Sequence, residues 1–77
     1  MKKIERVRWR CRRGLLELDI LLGHFVERHY AQLDEAQQAT FDALLGMPDT
    51  VLWDMIAGKQ EVAQSEQQAL LEKIRAV

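Results

Sequence analysis

Apolar residues recur along the chain every three or four positions. No stretch keeps the period-two alternation of a half-buried strand, so the pattern predicts an all-α fold. It is interrupted at Gly14, at Gly46-Met47-Pro48-Asp49 and at Gly58-Lys59, which divides the chain into about five short helices joined by brief loops. Such an arrangement forms a compact bundle, here a single domain over residues 1–77. The first helix is expected at about 2–11, with Ile4, Val7 and Cys11 on one face. The second runs from about 14 to 31, and Leu15, Leu18, Leu22, Phe25, Val26 and Tyr30 form its apolar stripe. Gly23 inside it costs up to about 1 kcal/mol relative to Ala.

The third helix has a readable start. Asp34 is a good N-cap, Gln37 three residues later completes a capping box, and Leu33 is placed to act as a hydrophobic staple. Phe41, Leu44 and Leu45 supply its inner face, and Gly46 its stop. Pro48 prevents continuation, and Asp49 is expected to cap a fourth helix over about 49–57 with Val51, Leu52, Met55 and Ile56 inward. Ser65 and Gln68 suggest a second capping box for a fifth helix carrying Leu70, Leu71, Ile74 and Val77.

Charge changes the picture more than composition does. The net charge is −1, yet residues 1–13 hold seven bases and one acid, while residues 14–77 hold four bases and eleven acids. A basic head on an acidic body is an electrostatic docking surface for nucleic acid, for an acidic protein face or for the protein's own acidic body. Trp9 within the head is able to stack on a base, but the bases interleave with apolar helix positions, which disfavours nucleic acid. No apolar run approaches the roughly 20 residues of a membrane span, and the basic start has no apolar stretch behind it, so a cytoplasmic chain without membrane insertion is expected.

Catalytic templates fail one by one. The single serine, Ser65, is better explained as a cap than as a nucleophile. A single cysteine excludes an internal disulfide and a Cys-rich zinc site, and Cys11 at an apolar helix position reads as a small buried hydrophobe despite Arg10 and Arg12 beside it. His24 and His29 are five positions apart and do not share a ligating helix face. There is no Gly-rich phosphate loop. An enzyme is not expected, nor a metal or a stably bound cofactor.

The unusual segment is Arg12-Arg13-Gly14-Leu15-Leu16-Glu17-Leu18-Asp19. Glu17 and Asp19 complement the dipole of the helix they open. Two readings fit it. In the plainer one, Gly14 makes a turn and Arg13 pairs with Glu17 four residues on. In the sharper one, Gly14 lets another protein's backbone approach while Arg13 and Glu17 bond across the contact. Trp53, beside the inward face of its helix, fits equally a core position and a partner anchor.

This segment resembles the Arg-Gly-x-x-Glu signature of the succinate dehydrogenase assembly factor 2 family. Trp9 four residues before Arg13, Phe25 and Tyr30, Leu33-Asp34, and Leu44-Leu45 followed by Pro48-Asp49 and Leu52 extend the resemblance over about residues 8–58. Family members often carry Trp three residues after the position of Leu52; here that residue is Met55 and the Trp stands at 53, so local repacking is expected.

The resemblance implies a five-helix protein that binds the flavoprotein subunit of succinate dehydrogenase or fumarate reductase and promotes its covalent flavinylation. The FAD is the client's cofactor, attached to the client's own histidine. The implied contact residues are Arg13, Gly14 and Glu17, with Arg12 and Asp19 beside them. An alternative role carried by the same resemblance is an antitoxin for a CptA-type toxin. The working form is expected to be a monomer.

Overall fold

The computed structural model describes residues 3–77, so the expected first helical position, Lys2, lies outside the described residues. Five α-helices follow in order: α1 (Lys3–Arg10), α2 (Leu16–His29), α3 (Glu35–Leu45), α4 (Asp49–Ile56) and α5 (Ser65–Arg75). The end of the expected second helix tightens into one 3-10 turn, Tyr30–Gln32. The all-α expectation holds, with no strand among the described residues.

The Asp34 capping box forms as its spacing predicts. Gln37 N–H donates to Asp34 Oδ1 at 2.8 Å, and Asp34 N–H donates to Gln37 Oε1 at 3.0 Å. Each bond satisfies a donor that the helix start leaves without a partner. Leu33 is buried, but the residue in the staple position is Gln38, whose side-chain amide donates to the Leu33 carbonyl at 3.2 Å.

At the far end of α4, Gly58 takes φ +78°. Lys59 N–H bonds to Asp54 O at 2.8 Å and Gly58 N–H to Met55 O at 3.3 Å, the paired bonds of a Schellman stop.

Three local expectations are corrected. Leu15 is not part of the buried stripe: it precedes α2 with extended backbone (φ −105°, ψ 108°) and is 41% exposed. Asp49 does not cap α4; Pro48 is the N-cap and Asp49 is already the first helical residue. Ser65 is likewise inside α5 rather than before it, and its hydroxyl lies 3.5 Å from Glu66 instead of closing a box with Gln68. In both cases the capping residue type sits one place too late in the chain. A cap works from the residue before the helix, where its oxygen accepts the N–H of the second or third helical residue, and a side chain on the first helical residue is displaced from that place.

Leu18, Leu22, Phe25, Phe41, Leu52 and Ile74 are among the side chains sealed at the centre. Phe41 lies between Phe25 (5.1 Å between ring centroids) and Tyr30 (5.8 Å). Helix α5 packs against α2, α3 and α4, while α1 lies along α2. The last turn of α5 also stops α4: Arg75 Nε donates to Ile56 O at 2.5 Å and Nη2 to Met55 O at 2.8 Å, placing a cation at the negative end of the α4 dipole. Met55 is buried and Trp53 is partly covered by the same core.

The basic head turns onto the protein's own body. Arg8 pairs with Glu27 of α2 at 2.7 Å, Arg10 donates to the Asp42 carbonyl of α3 at 3.1 Å, and Lys3 donates to Gln38 at 2.9 Å. Of the three partners that its charge allowed, the structure favours the internal one. No helix is long and apolar enough to cross a membrane among the described residues.

Candidate partner-docking site

The connection from α1 to α2 is a turn that only glycine accommodates without strain. Gly14 has φ +91°, the left-handed region that a Cβ disfavours. The turn is held from within: Arg13 N–H donates to Asp19 Oδ1 at 2.8 Å and Gly14 N–H to Asp19 Oδ2 at 3.1 Å. Asp19 therefore reaches back one turn from α2 and receives two backbone donors with one carboxylate. A Cβ on Gly14 would meet no atom within 4 Å, so this side of the turn faces open space.

Arg13 does not pair with Glu17. Its side chain, 11% exposed, runs to the corner between α3 and α4. There Nη1 donates to Leu45 O at 2.6 Å, Nη2 to Met47 O, and Nε to the Asp49 carboxylate. Glu17 is left exposed with no partner among the described residues, and Arg12 is exposed beside the turn.

Beyond the turn, apolar side chains face outward. Leu16 is 75% exposed, Ile20 is 49% exposed and Leu15 flanks them. Leu15, Leu16, Glu17, Leu18 and Trp53 line a groove of ≈ 350 Å³ between the head of α2 and α4. Leucines and a tryptophan around one exposed carboxylate form the kind of patch that marks a protein contact, with an apolar centre and a charged rim.

The structure thus leaves Arg12, Gly14 and Glu17 exposed around the head of α2, and engages Asp19 and the Arg13 guanidinium inside the protein. Leu16 and Ile20 were missed by the sequence reading. Their signal was present: residues 15–22 carry Leu15, Leu16, Leu18, Ile20, Leu21 and Leu22, more apolar positions than one buried helix face uses.

Cys11, buried just after α1, has its thiol pushed up to about 11 by burial, which outweighs the nearby Arg10 and Arg13. No cluster of His, Cys, Asp and Glu suited to a metal ion occurs among the described residues.

The class that this fold and face define is a small all-helical protein with an exposed apolar groove. Comparison with known sequences carries this further: the chain belongs to the family described as flavinator of succinate dehydrogenase, matched over residues 5–77. It is 39% identical over 71 residues to the FAD assembly factor SdhE of Coxiella burnetii, covering 92% of this chain and 87% of that one. It is 41% identical over 75 residues to the FAD assembly factor SdhE of Idiomarina loihiensis (97% and 80% covered). Its similarity to that of Methylococcus capsulatus is 34% over 77 residues (100% and 93% covered). The similarity therefore continues past residue 58 through α5.

Proposed function

We propose that this chain is a non-catalytic assembly factor that docks on the flavoprotein subunit of succinate dehydrogenase, or of fumarate reductase, and promotes covalent attachment of its FAD. The contact face is the groove at the head of α2. Gly14 admits the client's backbone, Glu17 and Arg12 supply polar contacts, and Leu15, Leu16, Ile20 and Trp53 supply apolar area. The FAD belongs to the client, and the client's own histidine forms the bond.

Membership of the flavinator family gives this reading its client. The observation that carries it is the outward groove lined by Leu15, Leu16, Glu17 and Trp53, with Ile20 exposed one turn along α2 from Leu16. Burying such side chains at an interface contributes about 1.5–3 kcal/mol each when fully covered. A helper of this kind needs no nucleophile. It raises the population of a flavinylation-competent client conformer by its differential affinity for that conformer, while the cofactor supplies the chemistry.

The test is the covalent flavin fluorescence of the flavoprotein subunit on a denaturing gel, in cells lacking this protein. Fluorescence is expected to fall sharply, to return with the parent chain, and to stay low with Glu17→Ala or Leu16→Asp. Undiminished fluorescence without the protein removes the proposal.

A further inference from the structure

We infer that Arg13 is a positioning residue, which sets the spacing between the two walls of the docking groove and does not itself touch the client. The inference rests on the docking reading above, and on how the residue is used inside the fold.

Arg13 belongs to two structures at once. Its backbone N–H is held by Asp19, which fixes the Gly14 turn and the first turns of α2. Its guanidinium is held by the α3–α4 corner through Leu45 O, Met47 O and Asp49. The two carbonyls lie where α3 ends and lack intrahelical partners, so a cation there is favourable. Asp49 begins α4, and Trp53 follows one turn later on the same side of that helix.

A continuous path results. The Gly14 turn carries Leu15 and Leu16 on one wall, Arg13 ties that turn to the α3–α4 corner, and Asp49 leads to Trp53 on the other wall. Nε, Nη1 and Nη2 are all engaged internally, and the side chain is only 11% exposed. A planar guanidinium serves three acceptors that a lysine ammonium on a flexible stem cannot reproduce.

Two readouts in one set of variants test this. In a Trp9→Phe chain Trp53 is the sole tryptophan, since the sequence contains two. Arg13→Lys, Arg13→Gln and Asp49→Asn are compared with that parent at a temperature where far-UV circular dichroism shows each one folded. The first readout is acrylamide quenching of Trp53 without client; the second is affinity for the purified flavoprotein subunit.

Each variant is expected to raise Trp53 quenching and to weaken client binding by about tenfold or more, the scale of a lost charge-assisted hydrogen bond. The double variant Arg13→Gln/Asp49→Asn is expected to be no worse than the weaker single one, because both act through one contact.

A guanidinium that met the client directly would behave otherwise. Asp49→Asn would then free it and leave affinity at or above the parental level, and Arg13→Lys would retain much of the binding. Either result overturns the inference, as does unchanged Trp53 quenching. If Arg13→Gln fails to fold, Arg13→Lys and Asp49→Asn decide the question. If the parent chain does not bind the subunit at all, the docking reading fails, while the quenching readout still judges the coupling.

Discussion

The heads of α2 and α3 begin a helix in opposite ways. At α3, Asp34 and Gln37 satisfy each other's backbone donors and Leu33 is folded into the core. At α2, Leu15 occupies the capping position with no side-chain bond to offer, Leu16 and Ile20 face solvent, and Glu17 is exposed with no partner among the described residues. One start is complete within the chain. The other leaves apolar area and a charge uncovered, and its turn is held by Asp19 from behind rather than by a cap in front. The difference is what makes the head of α2, and not that of α3, the proposed docking face.

The sharpest way to break this comparison is a pair of leucine truncations two residues apart. Leu18→Ala, at a fully buried position, is expected to cost about 3 kcal/mol of stability in a denaturant titration. Leu16→Ala, at a position 75% exposed, is expected to stay within about 0.5 kcal/mol of the parent while weakening client capture. Equal stability losses would mean that the exposed stripe is structural.

Next in size is Gly14→Arg. A side chain in the left-handed conformation costs about 1–2 kcal/mol, and the space beside Gly14 is open, so the protein is expected to remain folded with a lowered melting temperature. Client binding is expected to be lost altogether, as read by pull-down with the flavoprotein subunit.

Asp34→Ala at the other head is expected to cost about 1 kcal/mol of stability and to leave client binding unchanged below the melting transition. A drop in binding there would spread the docking face beyond the head of α2.

The smallest and most pointed effect is that of Leu15→Ser. Leu15 already has the extended backbone of a capping residue, so a hydroxyl there is expected to raise stability by about 0.5 kcal/mol, measured by thermal melting, while client affinity falls. A variant that gains in both would show that the uncapped start serves no contact.

How much of this was legible depended on the range of each interaction. The Asp34–Gln37 box spans three residues and both its members are of the right type, so spacing alone predicts it. The inward faces of α1, α4 and α5 follow from their 3.6-residue period, as the buried Val7, Leu52 and Ile74 confirm. At Asp49 and Ser65 the residue type was right but the helix began at that residue, and a shift of one position removes a cap. The partners of Arg13 lie 32 to 36 residues away, and no local spacing points to them. The nearby Glu17 offered a simpler partner that the folded backbone does not use. For the candidate face, the exposure of Gly14 and Glu17 was readable, whereas Leu16 and Ile20 were hidden in a run of apolar residues that looked like ample core.

The burial of Cys11 has a practical consequence for studying the groove. At 3% exposure, and with its thiol held protonated well above neutral pH, the native cysteine is a poor target for maleimides and other thiol-directed reagents. A single cysteine introduced at position 16 or 20 would be the reactive one. A fluorophore or photocrosslinker attached there would sit at the rim of the groove with the native thiol left in place.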